Sequence, residues 1–428
     1  MRLTEWYSRF LEVWKPRGLL GWALYCFIGY TILWSMTEFE EETLTYSKVI
    51  LGFLLCLSMC LLLLDVLRIV THEGHLPFPI QVKFLLLFLI LWGLFVISRG
   101  FSADIVKLKL LFGVSSFAWA WLVPAAMVIG ANASVWKQLN RVFIAHTYIG
   151  VIAVCFAIIN LSKLSIYESS HAGASLATLY ATGFLLMTWH EQAKNVRFIS
   201  IISVLLMGAG AALMASRHTL VIIAYNLISA GGMYIAYFQG RVRRINAVIK
   251  LAFASIFLII LITVLSNCTW SYFLDMRIAH FREKLQSQHS DRMLLWQDFV
   301  EETSVSDAVV GKGVFGTYEG WAYEWMEGDD RMNIECGYLQ IVLKGGIVML
   351  ALFLALTVPA AILGIFYSNN FLGRVCGLVV LGRLVDMFPY GVPEADISYV
   401  FFWLAVGACW NKNLRRLPDF SFADYSCK

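Results

Sequence analysis

The stretch ALMASRHTLVII, residues 212–223, sets Arg217 in the middle of a long uncharged run. Between Phe198 and Phe238, a span of 41 residues, it is the one formally charged side chain. An arginine held where it loses solvent grips an anion more strongly than one in bulk water, and its planar fork matches two phosphate oxygens. A snorkelling arginine that only marks a turn satisfies the same position. Further along, Arg277, Arg282, Lys284 and Arg292 crowd a segment that also carries Trp270, Tyr272, Trp296, Trp321, Tyr323 and Trp325. Guanidinium groups beside flat aromatic faces suit a lipid-linked, phosphorylated sugar, with arginine on phosphate and rings against sugar C–H surfaces. For Arg277 and Arg282, a solvated amphipathic helix on anionic lipid is the competing reading.

Other polar groups divide in the same way. Glu394 and Asp396, in PEAD, either line the acceptor side of a site or form a helix-capping turn after Pro393. Glu327–Asp330, in EGDD, lack the His or Cys company of a zinc site; an oxygen-only magnesium or manganese site is the open alternative, and the expectation is no metal and no cofactor. GKGVFGTYEG reads as a glycine turn system without a phosphate-loop pattern. Arg383 and Asp386, spaced i,i+3, are expected to neutralise each other inside a bundle, and His146 reads as a hydrogen-bonded core residue. Cys268 and Cys336 flank the long loop and are candidates for a disulfide on an oxidising side.

Composition says what must position these groups. The chain is 59% hydrophobic and 14% charged over 428 residues, with a mean hydropathy of +0.71. Soluble domains carry about 25% charged residues, so a water-soluble globule is excluded. A membrane-crossing helix needs about 20 apolar residues. Runs that fit lie near 18–36, 46–65, 80–98, 110–129, 142–161, 172–189, 198–214, 218–238, 247–266, 338–366, 371–388 and 396–410. No short apolar core followed by a small-residue cleavage site stands in MRLTEWYSRFLEVWKPRG, so a removable signal peptide is not expected there. Arg2, Arg9, Lys15 and Arg17, the basic residues of alternate connections, and Lys412, Arg415 and Arg416 place both termini in the cytoplasm. Arg99, Lys107 and Lys109 dissent from that pattern.

The expected organisation is therefore nine membrane helices in residues 1–266, an outward loop over 267–337, and three more helices with a cytoplasmic tail in 338–428. The loop is far longer than an ordinary connection. Within it, DRMLLWQDFVEE predicts a helix with Leu295, Trp296, Phe299 and Val300 on one face and Ser290 or Asp291 as N-cap. Arg217 falls at the tip of an outward hairpin.

Three stretches then carry a resemblance. MASRHTLVIIAYNLI, SDRMLLWQDFVEETSVSDAVVGKGVFGTYEG and ECGYLQIVLKGGIVMLALFL resemble, in order and spacing, motifs of the bacterial O-antigen polymerase and O-antigen ligase superfamily. The resemblance implies an all-α polytopic fold of about twelve membrane helices with one large periplasmic loop containing short helices, similar to the GT-C class of glycosyltransferases. It implies that Arg217 and Arg292 bind an undecaprenyl diphosphate donor; Arg277, Arg282, Trp296 and Tyr338 are read beside them as substrate-binding candidates. Glu335 falls where ligases read His-Asn-x-Tyr-Leu, which is more like the polymerase branch and makes Glu335 the candidate base; an ion pair with Arg331 is the alternative role. The implied activity is metal-independent, inverting polymerisation of lipid-linked repeat units at the bacterial inner membrane. Membrane lipids, a chain-length regulator and a flippase would be its partners, and nucleic acid would not. An O-antigen ligase is the rival enzyme. A flippase or transporter is the rival class, and no internal repeat supports it.

Overall fold

A computed structural model describes residues 19–26, 44–73, 76–100, 115–159, 171–213, 217–237, 296–320, 329–334, 336–388 and 397–418. Residues 19–26 are helical. The first half continues with α1 (Leu44–Glu73), α2 (Ile80–Gly100), α3 (Ser115–Gly130), α4 (Ala133–Ile159), α5 (His171–Met187), α6 (Lys194–Leu213) and α7 (Arg217–Tyr237). Residues 296–302 form a helical turn, followed by α8 (Val305–Val310), β1 (Tyr318–Gly320) and β2 (Asp329–Arg331). The chain closes with α9 (Gly337–Tyr367), α10 (Phe371–Asp386), α11 (Ile397–Trp410) and α12 (Lys412–Arg416).

The apolar runs become helices because each is too apolar to leave its backbone in water, and a helix satisfies its own N–H and C=O groups. Ile80–Arg99, Thr219–Ala236 and Gly337–Tyr367 are long and apolar enough among the described residues to cross a membrane. Their outer faces are apolar too: Phe84 is 65% exposed and Ile228 75%. Such continuous exposed hydrocarbon is untenable in water and consistent with a membrane protein. The run at 247–266 lies outside the described residues.

α11 is apolar all round and buried over Ile397–Cys409, as a helix without a polar face must be. α3 crosses it at backbone distance. A Cβ on Gly130 would sit 2.0 Å from the Leu404 carbonyl oxygen, and one on Gly407 would sit 2.0 Å from that of Met127. Small residues are what permit helices to approach so closely. Around the crossing, Phe143, Phe184 and Phe401 pack with centroids 4.4–5.5 Å apart.

One end of the bundle is tied by side-chain amides. Asn370 accepts from the Gly373 N–H at 2.7 Å and caps α10, while its own amide donates to the Leu414 carbonyl. Asn411 caps α12 and donates to Ala131 O in the α3–α4 turn at 2.8 Å. Asn140 and Gln192 exchange amide hydrogen bonds of 2.8 and 3.3 Å, joining α4 to the α5–α6 turn.

At the other end, part of the long loop forms a folded cap. Its helical turn is helical from residue 296, and the face read from sequence is split: Phe299 is buried, whereas Val300 is 65% exposed. The N-caps proposed at Ser290 and Asp291 lie outside the described residues. The cap also contains strands where only turns and helices were expected. β1 and β2 pair antiparallel with Tyr318 opposite Arg331, Glu319 opposite Asp330 and Gly320 opposite Asp329. Glu302 braces this ribbon, receiving Lys312 Nζ on one oxygen and the Glu319 N–H on the other, each at 2.5 Å.

Candidate functional site

The cap meets the bundle at a break in α9. Gly346 has φ 71°, so the helix cannot run through it and the carbonyls just before it lose their helical partners. Buried carbonyls left unpaired are costly, and here the cap and α2 supply donors. The Lys312 N–H donates to Leu343 O at 2.7 Å and the Gly313 N–H to Lys344 O at 3.0 Å. Trp92 Nε1–H donates to Gly345 O at 2.8 Å. In return Lys344, 1% exposed, donates from Nζ to Gly316 O at 2.8 Å.

Glycine is required on both sides of this seam. A Cβ on Gly346 would lie 2.0 Å from Val309 O, and one on Gly311, with φ 77°, would lie 2.4 Å from Lys344 O. The two glycine motifs GKGVFG and LKGGIV thus form one interlocking contact. Arg99 joins the seam from α2: it donates to Gly311 O and lies 3.8 Å from Asp307 of α8. Its charge serves the cap.

Beside the seam, the start of α9 meets the end of α10. The Gly337 N–H donates to Met387 O at 2.8 Å, and the Tyr338 hydroxyl donates to Leu384 O at 2.5 Å. Gln340 turns back on the incoming chain, accepting from the Ile334 N–H at 2.9 Å and donating to Met332 O and Asn333 Oδ1. Both neighbours of residue 335 are therefore fixed, Ile334 and Cys336 each buried. Trp296 sets its ring edge-to-face against Phe388 at 6.0 Å. Trp296 and Tyr338 both pack on a small core formed by Phe299, Tyr318, Ile334 and Cys336. Cys336 is a buried free thiol, so the disulfide considered with Cys268 is not formed.

Within the bundle, Arg383 and Asp386 pair at 2.7 Å, as their spacing predicts. The sequence reading missed their third member. Tyr180 of α5 donates to Asp386 Oδ2, accepts from Arg383 at 3.2 Å, and presents its ring 5.5 Å from the guanidinium carbon. His146 is buried with Nε2 3.5 Å from Thr178 Oγ1, a core histidine as expected.

Of the residues predicted to do chemistry, Trp296 and Tyr338 are described in full and share the junction of cap, α9 and α10. Arg217 is described at its backbone, as the first residue of α7. The far end of α7 lies at the α5–α6 turn, where His190 stacks on Tyr234 at 4.9 Å. That turn belongs to the amide-tied end, so Arg217 starts its helix at the capped end. Arg277, Arg282, Arg292, Glu335, Glu394 and Asp396 lie outside the described residues, as does Cys268. Arg292 precedes Trp296 by four positions in the chain. A shallow, largely apolar groove of about 230 Å³ runs along the helical turn, lined by Trp296, Gln297, Val300 and Glu301.

Lys344, Trp92 and Phe388 went unremarked in the sequence. Lys344 sits beside Gly-Gly in an apolar run, a pattern that reads equally as a close-packed helix. Nothing local marked Trp92 or Phe388, whose partners are remote in the chain. No family model, curated protein or solved structure matches the chain.

Proposed function

We propose that the chain is a bacterial inner-membrane glycosyltransferase that polymerises undecaprenyl diphosphate-linked repeat units into O-antigen or a related surface polysaccharide. In this reading twelve helices cross the membrane, both termini are cytoplasmic, and the cap faces the periplasm. The observation that carries it is the capped end. A folded, aromatic-rich cap is seamed to a broken membrane helix, and the helix bearing Arg217 begins at that same end.

The reaction in this reading uses the groups singled out in the sequence. An acceptor sugar hydroxyl attacks the anomeric carbon of the donor, the bond to diphosphate breaks, and configuration inverts. Glu335 takes the hydroxyl proton, a contribution of about 10²–10⁴ in rate for a positioned base. Arg217 and Arg292 receive the charge that develops on the departing diphosphate, so no metal is called for. Arg277, Arg282, Trp296 and Tyr338 bind the glycan and carrier, and Glu394 and Asp396 line the acceptor side. A chain-length regulator and a flippase of the same pathway are its partners.

The glycan profile of a deletion strain tests the reading. Single repeat units on the lipid core indicate a lost polymerase. Absent decoration, with long chains stranded on the carrier, indicates a ligase, and an unchanged profile refutes both.

A further inference from the structure

α9 is longer than a bilayer core is thick. Its 31 residues rise about 46 Å, against about 30 Å of hydrocarbon. A straight helix absorbs such an excess by tilting, but α9 is broken at Gly346. The part beyond the break, residues 347–367, rises about 30 Å and fills the hydrocarbon by itself. α2 gives the same depth independently. Its apolar span Ile80–Arg99 also rises about 30 Å, and its last turn is where Val96 O accepts from the Val314 N–H and Arg99 donates to Gly311 O. Two helices thus put the seam at one edge of the hydrocarbon. Lys344, three residues before Ile347, then stands about 5 Å outside it, where a lysine is tolerable.

α8 lies along that edge. The Val309 carbonyl packs against Gly346, and the Asp307 carboxylate is 3.8 Å from Arg99 of α2. Val305 and Val309, spaced i, i+4 and so on one side of α8, are 84% and 44% exposed. The polarity of this cap helix is therefore reversed for an element in water: its acid is turned to the protein and its valines are turned out. Facing solvent, those valines leave apolar surface unburied at a cost. At the edge of the hydrocarbon the same pattern is that of an interfacial helix, which buries its apolar side among acyl chains. The patch is continuous with surface that already faces lipid, since Ile347 beyond the break and Leu94 of α2 are exposed at the same level.

We infer that α8 is seated on the membrane surface, with Val305 and Val309 against phospholipid acyl chains at the level of Gly346. The cap is then held down on the bilayer as well as on the bundle. The inference stands on helix lengths and exposure and does not depend on the proposed polymerase. The test places a spin-label amino acid singly at residue 305 or 309 of the full chain, in nanodiscs of phosphatidylethanolamine and phosphatidylglycerol. Collision rates are read with oxygen, which concentrates in hydrocarbon, and with a water-soluble nickel chelate. Phe84, exposed within the α2 span, is the hydrocarbon control, and Glu301, exposed on the cap, is the aqueous one. All four positions are exposed, so none challenges folding. The expected oxygen-to-chelate ratio at residues 305 and 309 is several-fold above that at residue 301 and approaches that at residue 84. A ratio equal to that at residue 301 means that the valines face water and overturns the inference. Protection from both reagents overturns it too, because protein, such as a second copy of the chain, then covers the face.

Discussion

Trp92 offers a clean test of the seam because one atom carries its polar role. Trp92→Phe keeps the aromatic packing and deletes the N–H that pairs with Gly345 O, leaving a buried carbonyl unmatched. The expected loss is about 1–3 kcal/mol, read as a lower midpoint in thermal unfolding of the detergent-solubilised protein. His190 supplies a pH test at the other end. Its imidazole is pushed down from 6.5 to about 4, first by burial and then by the Arg197 charge. The unfolded chain takes up a proton below about 6.5 and the folded chain resists until about 4, so stability contributed by neutral His190 is intact above 6.5 and is lost as pH falls toward 4. His190→Phe should flatten that part of the thermal midpoint profile relative to wild type. An unchanged profile would mean the ring is solvated in the native state. At this scale the sequence was partly legible. The i,i+3 spacing of Arg383 and Asp386 announced their pairing, whereas Tyr180 joins them from 203 positions away in the chain, which no local pattern encodes.

Elements carry the larger effects. Gly346→Ala forces a side chain into positive φ and into contact with Val309 O, so cap and helix must separate. The expected outcome is limited proteolysis within residues 303–320 at protease levels that leave the wild type intact, with the membrane helices still folded. The α5–α10 contact gives a second prediction. Asp386→Asn removes the carboxylate charge paired with buried Arg383 and should lower stability by about 3–5 kcal/mol, whereas Arg383→Met with Asp386→Leu should lose less. A double variant worse than the single one would show that the pair has a role beyond charge balance. Helix positions were legible because hydropathy dictates them. The break in α9 was not, because LKGGIV reads equally as a close-packed helix until the cap is seen to claim its carbonyls.

At the scale of the whole molecule, the described residues form a bundle tied by asparagine and glutamine at one end and closed by a cap at the other. The sequence suggests such an asymmetry, with one long loop expected among short ones and Arg217 expected at a hairpin tip. The β1–β2 ribbon was not legible there, since three-residue strands are too short to show alternation. The proposed function turns on Arg217 and Arg292 together holding one carrier diphosphate. The most direct measurement is the length distribution of surface glycan in strains producing Arg217→Ala or Arg292→Ala, with membrane protein levels checked in parallel. Each variant is expected to abolish chain extension at normal protein level, and Arg217→Lys and Arg292→Lys to restore little because lysine lacks the two-pronged phosphate contact. Polymer of normal length in either alanine variant would contradict it.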